Sequence, residues 1–280
     1  MFKGNDDLFV PLGHFYSPVP DREEVRQHLD KQENASPPVG INFRDTEMRA
    51  HWQRLLPTMK GIPFTDEPSS DFRYNYINDQ FSFGDADILY AMLATHRPKR
   101  LIEIGSGYSS AVALDARMIE KLDVQLTFIE PYPDRLETLL RPEDKATATI
   151  IEKKVQDVDL DVFMSLEAGD FLFIDSSHVV KTGSDVCYEI LEILPNLAPG
   201  VIVAIHDMFY PFEYPKGWCL EENRGWNELY LVRAMLMHSQ RYEIKFFNHY
   251  FALHHSDLAS DQSVNFHRNS GGTLWLDIVE

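Results

Sequence analysis

Two patterns of apolar and polar positions follow one another along the chain. Up to about residue 80, apolar residues are scattered among Pro11, Pro18, Pro20, Pro37, Pro38, Pro57, Pro63 and Pro68, with aromatics such as Phe9, Phe15, Tyr16 and Phe43 between them. Proline fixes its own φ and disfavours helix in the residue before it. Loops with short helices over Asp21–Lys31 and Thr46–Leu56 are therefore predicted, and the aromatic content predicts that residues 1–80 pack on the rest as a cap. From about residue 85 short apolar runs alternate with stretches of helical period. The apolar runs Arg100–Ile104, Gln125–Glu130, Ala148–Ile151, Asp170–Asp175, Val201–His206, Tyr242–Phe247 and Thr273–Ile278 predict strands. Helices are predicted over Ala86–Thr95, Ser109–Lys121, Pro133–Leu140, Asp159–Leu166, Ser184–Leu194 and Trp226–His238, each with apolar residues at core spacing. Strand and helix in alternation predict an α/β fold. The expectation is a doubly wound, mostly parallel, seven-stranded Rossmann-like sheet over residues 81–280, preceded by the cap. In such sheets ligands bind beyond the C-terminal strand ends, at the switch in strand order.

Composition narrows the partners. The 280 residues hold 26 Lys+Arg against 44 Asp+Glu, a net charge of −18. That charge repels phosphate backbones and anionic lipid, so no nucleic acid and no membrane is expected as a partner. The longest apolar runs, around Val201–Ile205 and Phe171–Ile174, are far short of a membrane helix. Met1–Asp7 shows no apolar stretch after its lysine, so no secretory leader is expected. Cys187 and Cys219 make neither a disulfide framework nor a four-cysteine zinc site. The expectation is a cytoplasmic protein with reduced cysteines, for which homo-oligomerisation stays open.

The strand Leu101–Ile104 runs into Gly105-Ser106-Gly107-Tyr108-Ser109-Ser110 and then a helix. Glycines let the backbone turn tightly and approach a ligand, and the helix start offers free N–H groups. Glu130 closes the next strand, where a carboxylate can accept both hydroxyls of a ribose. A nucleoside cofactor fits this pair. A dinucleotide fingerprint wants a third glycine where Ser110 stands, and it does not ask for Glu103. A nicotinamide-dependent oxidoreductase is therefore the alternative.

The form Glu103-x-Gly105-x-Gly107 resembles motif I of class I S-adenosylmethionine (SAM) methyltransferases. Asp175-Ser176-Ser177-His178, then Leu197-Ala198-Pro199-Gly200 and a strand ending His206-Asp207, is similar to the small-molecule branch of that family, with Ser176 and Val201 where glycines are usual. The resemblance covers about residues 74–250. It implies SAM as cofactor, contacted by Glu103, Gly105, Ser106, Gly107, Tyr108, Glu130, Asp157 and Asp175, and a small-molecule acceptor methylated at oxygen. It also implies a divalent metal at Asp175, His206 and Asp207, where the imidazole departs from the all-oxygen set that magnesium prefers. A SAM-binding protein without catalysis stays open beside these readings.

Methyl transfer needs the acceptor positioned and a proton removed, and a histidine with a pKa near neutrality suits the second task. His178 and His206 each follow a strand end, flanked by Asp175 and Asp207, and are the candidate catalytic pair. Tyr74–Asn78 either closes over the cofactor carboxylate or packs in the core. Gln156-Asp157 either faces the adenine or is a solvated loop, with Asp157 capping the helix after it. Phe209–Trp218 is expected to line the acceptor pocket or act as a lid, Asn223 to cap the helix that follows, and His249, His254 and His255 to be solvated.

Overall fold

The computed structural model describes residues 8–32 and 36–279. Met1–Asp7, the segment read for a leader, lies outside the described residues. The elements run α1 (Arg22–Gln32), α2 (Asp45–Met59), α3 (Gly84–His96), β1 (Arg100–Ile104), α4 (Tyr108–Ile119), β2 (Gln125–Ile129), α5 (Asp134–Leu139), α6 (Asp144–Thr147) and β3 (Ala148–Ile151). They continue α7 (Leu160–Met164), β4 (Phe171–Ile174), α8 (Asp185–Tyr188), α9 (Leu194–Asn196), β5 (Ile202–Ile205), α10 (Lys216–Leu220), α11 (Glu228–Leu236), β6 (Tyr242–Phe247), α12 (Asn248–His254), α13 (Ser256–Gln262), α14 (Val264–Arg268) and β7 (Leu274–Ile278).

The seven strands form one sheet in the order β3-β2-β1-β4-β5-β7-β6. β7 alone runs antiparallel to its neighbours β5 and β6. The other pairings are parallel, with Ile104 level with Ile129 on one side and Ile174 on the other. β4 and β5 are buried at every position, as strands covered by helices on both faces must be. The chain moves outward from β1 to β3 and then returns to the far side of β1 to lay down β4. The order thus reverses between β1 and β4, and the crevice opens there.

Each expected strand is present, within a residue or two of its expected ends. The helix expected over Ser184–Leu194 is α8 and α9 joined by a π-helical stretch, Glu189–Ile193. α12, α13 and α14 were not expected. They are short and mixed in polarity, and they acquire their apolar face only by packing on α2, α3 and β6. Trp52 of α2 lies against Phe251, Phe266 and Phe246 in that layer. α1 by contrast reaches the rest through polar contacts to α10 and its approach: Lys216 to Asp30 at 2.6 Å and His28 to Glu213 at 2.9 Å. Among the described residues no helix is long and apolar enough to cross a membrane.

Candidate active site

Two cavities meet at the switch point. One, of about 450 Å³, is lined by Asn78, Gly105–Ser109, Arg135, Asp175, His178, His206, Asp207 and the aromatics Phe81, Phe209, Trp218 and Trp226, among others. The other, of about 520 Å³, runs over Pro131, Tyr132, Lys154–Gln156 and Lys181. They share Gly105, Glu130, Asp175 and Ser176, which makes them two arms of one crevice.

The bend after β1 can be built only with glycine. Gly105 has φ +77°, and a Cβ there would stand 1.7 Å from the Asp175 carbonyl oxygen. Its N–H donates to Ile129 O at 2.9 Å, which ties the bend to the end of β2. Glu130, at the junction of the two arms, accepts from Ser106 N at 3.2 Å and from Tyr132 N at 2.8 Å. The Ser106 hydroxyl beside it is buried with no protein partner. Glu103 lies behind the bend rather than on its wall. It is 1% exposed and accepts from the hydroxyls of Ser109 and, at 2.7 Å, Ser110. Burial raises its carboxyl to about 8, against the opposing pull of the two serines.

The candidate chemical groups do converge. His178 Nδ1 is 2.8 Å from Glu228 Oε2, and its Nε2 is 3.3 Å from Asp175 Oδ1 and 3.5 Å from Asp207 Oδ2. His206 Nδ1 is 3.2 Å from Asp175 Oδ1 and its Nε2 3.2 Å from Asp85 Oδ2. Burial opposes charge on His178, but Asp175 and Glu228 outweigh it and push the ring up to about 10. His206, equally buried, is also raised well above the ordinary range by Asp207, Asp175 and Asp85. Burial would raise Asp175, yet the imidazoles of His206 and His178 hold it well below the usual carboxylate range. Burial keeps Asp207 and Glu228 above theirs. His178 and Asp207 both adopt left-handed backbone, φ 59° and 57°, a conformation that concentrates at functional sites.

Several expectations change here. Neither imidazole has the near-neutral pKa expected of a base, because the carboxylates around each raise both above the ordinary histidine range. The metal-competent group is Asp175, His178 and Asp207, whose ligand atoms lie within 4.8 Å of one another, in place of Asp175, His206 and Asp207. His206 lies beside this group rather than in it, its Nδ1 3.2 Å from Asp175 Oδ1 and 3.7 Å from Asp207 Oδ1 and its Nε2 turned to Asp85. Of the pair read for the adenine, Gln156 lines the wall of the crevice with Val155, while Asp157 is exposed and outside it. It caps no helix either: Asp159 accepts from Asp161 N at the start of α7. Tyr74 and Tyr76 are core residues, the first donating to Phe81 O and the second to Asp87, while Asn78 reaches the cavity. In the loop after β5, Phe209 and Trp218 line the cavity while Phe212 and Tyr214 are buried in the core. Asn223 does not cap α11, which follows Asn227. His255 is buried against Asp45, 2.9 Å away, and His249 Nδ1 accepts from Tyr210 N at 3.0 Å, so only His254 is exposed.

Asp85 and Glu228 were missed. Asp85, in the first turn of α3, accepts from Asn248 Nδ2 at 3.0 Å, Gly272 N at 3.1 Å and Thr273 N at 3.0 Å. Glu228 starts α11. Each lies far along the chain from the histidine it faces, and neither stands in a motif.

A family model described as a methyltransferase domain matches residues 102–208, from within β1 to just beyond β5. A protein of Archaeoglobus fulgidus described as uncharacterized is 32% identical over 166 residues, 56% of this chain and 73% of that one. Among solved structures, the chain is similar to the SAH-bound methyltransferase PaMTH1 of Podospora anserina, at 15% identity over 94% of this chain and 99% of that one, TM-score 0.45. It is also similar to the O-methyltransferase TomG of Streptomyces achromogenes, involved in tomaymycin synthesis and in complex with SAM, at 12% identity over 94% and 100%, TM-score 0.44.

Proposed function

A methyltransferase domain is matched over residues 102–208 of this chain, and from that premise we propose that it is a class I SAM-dependent methyltransferase whose crevice binds SAM with the adenosine in one arm and the sulfonium in the other, facing an acceptor oxygen. The enzyme is a SAM-dependent methyltransferase acting on a small molecule. The observation that carries the binding reading is the bend itself. Gly105 keeps side chains out of it, Ser106 presents a buried hydroxyl without a partner, and Glu130 stands where the arms meet. Glu130 would accept the ribose hydroxyls. Val155 and Gln156 would flank the adenine, and Ser106–Tyr108 the methionine portion. Glu103 supports this arrangement from behind by fixing Ser109 and Ser110. When bound, SAM supplies a methyl group already activated for in-line displacement, so the protein's task is to orient the acceptor and take its proton.

The acid-rich cluster suits that task. Asp85, Asp175, Asp207 and Glu228 outnumber the imidazoles of His178 and His206, which favours a cation among them. Glu228 holds the Nδ1 side of His178, so that Nε2 faces Asp175 and Asp207; a carboxylate on one ring nitrogen orients the other toward a metal in this way. Asp175, His178 and Asp207 would hold a divalent ion, which would displace the proton from His178 Nε2, and the imidazole favours manganese, iron or zinc over magnesium. When bound, such an ion supplies a Lewis acid that lowers the pKa of an acceptor hydroxyl. Asp207, on the cavity wall, is placed to receive the proton. His206 touches Asp175 and Asp85 and positions the first against the second.

His178→Ala and Asp207→Asn test this. Each should lower turnover by about 10²-fold or more, the scale of a lost acid–base group, while SAH affinity measured by calorimetry stays within about twofold of wild type. Unchanged turnover in both variants would remove the cluster from the mechanism. A nicotinamide cofactor is the competing occupant, and the matched methyltransferase domain stands against it.

A further inference from the structure

The cavity wall away from the bend carries a cation that the cofactor leaves without a task. Arg135 and Arg224 are the arginines of the lining, and no lysine joins them. Arg135 stands beside the bend: a Cβ on Gly107 would lie 3.3 Å from its Cδ. That puts it next to the methionine portion of SAM, which brings one carboxylate. Arg224 lines the same cavity from the loop between α10 and α11. Its guanidinium carbon is 4.0 Å from the ring centroid of Trp218 and 4.5 Å from that of Trp226, between two rings that meet edge-on. Its backbone N–H donates to Trp218 O at 2.9 Å, which fixes the loop around it. Nε and Nη2 both reach the same oxygen of Glu222 at 2.7 Å. Glu222 is half exposed and outside the cavity, so it grips one edge only. Nη1 has no partner among the described residues.

We propose that the acceptor is a hydroxylated aromatic acid, its carboxylate held by Arg224 and its ring against Trp218, Trp226 and Phe209. The proposal rests on the reading of the crevice as a SAM site and names the substrate class of that same site. The spacing supports it. The Trp226 ring is 4.4 Å from the His178 ring and 4.5 Å from the Arg224 guanidinium carbon, so one aromatic ring separates the acid cluster from the cation. A planar acceptor with its hydroxyl at Asp175, His178 and Asp207 would set an acid group on its far side toward Arg224. The electrostatics call for a cation at this place. At a net charge of −18 the protein repels an anion at long range. A guanidinium held rigid between two indoles offsets that repulsion where it matters, and a guanidinium matches a carboxylate in plane and hydrogen-bond geometry.

The test compares two near-isosteric probes, 4-hydroxybenzoate and 4-hydroxybenzamide, titrated into the SAH-saturated protein with tryptophan fluorescence as readout. The acid should bind about tenfold or more tightly than the amide, the scale of one charge-assisted hydrogen bond. In Arg224→Gln the preference should fall to within about twofold while SAH affinity stays unchanged, and Arg224→Lys should keep part of it. A merely structural guanidinium would lower affinity for both probes together. Equal affinities in the wild type, binding of neither probe, or a preference that survives Arg224→Gln would each overturn the proposal. Failure of SAH to bind at the start would instead remove the cofactor reading, and this inference with it.

Discussion

Gly105 shows how much a single position can decide. It is the residue where β1 ends, where the backbone turns left-handed, and where the Asp175 carbonyl comes closest. Gly105→Ala would force both a strained φ and a steric clash, and is expected to cost about 2 kcal/mol or more of stability. SAH binding, followed by calorimetry, should be lost with it; an alanine variant that binds SAH as tightly as wild type would contradict the role given to the bend. Glu103 makes a different prediction. Its carboxyl titrates at about 8 in the fold and near 4.5 when unfolded. Between those values the folded state holds the extra proton, so this group makes stability fall as pH rises. Glu103→Gln removes that decline. Scanning calorimetry at about pH 5 and about pH 8.5 should show the variant gaining on wild type at the higher pH; a constant difference would mean that Glu103 does not titrate there. At this scale the glycines, Glu130, Asp175, His178 and His206 are legible from their places after strand ends. Asp85 and Glu228 are not, because their roles come from packing distant elements together.

The elements were legible in proportion to how far local pattern alone specifies them. β1 and β3–β5 are short apolar runs bounded by polar or turn residues, and each stands within a residue of its expected ends. The helix through Glu189 kept its place but not its regularity: no periodicity announces a π-helical stretch, which here turns Glu189 inward so that its Oε2 accepts from the Ser176 hydroxyl at 2.9 Å. α12–α14 were invisible because their burial depends on α2 and α3. The link between the segment before α3 and the sheet is likewise non-local. Arg73 lies 2.7 Å from both Asp115 of α4 and Asp144 of α6, with all three side chains almost wholly buried. Arg73→Met would strand two buried carboxylates and should cost about 3–5 kcal/mol. Denaturant unfolding checks this, and a loss below about 1 kcal/mol would show the network to be solvated rather than buried.

At the scale of the molecule, charge and topology set what can approach and where it can sit. The surplus of 18 negative charges predicts no gel-shift of duplex DNA at physiological salt, and tight binding there would contradict the exclusion. The sheet reverses its strand order between β1 and β4, and the candidate cofactor groups other than Asp157 and Glu103 line the crevice at that end. As proposed, an adenosyl sulfonium cofactor sits in this crevice on the bend at Gly105–Tyr108 and the carboxylate of Glu130. Calorimetric titration with SAH, run beside NAD, decides this. A single saturable SAH site that is lost in Glu130→Ala, with no heat from NAD, is the predicted result. No heat from SAH, or NAD binding in its place, would rule out this cofactor for the crevice.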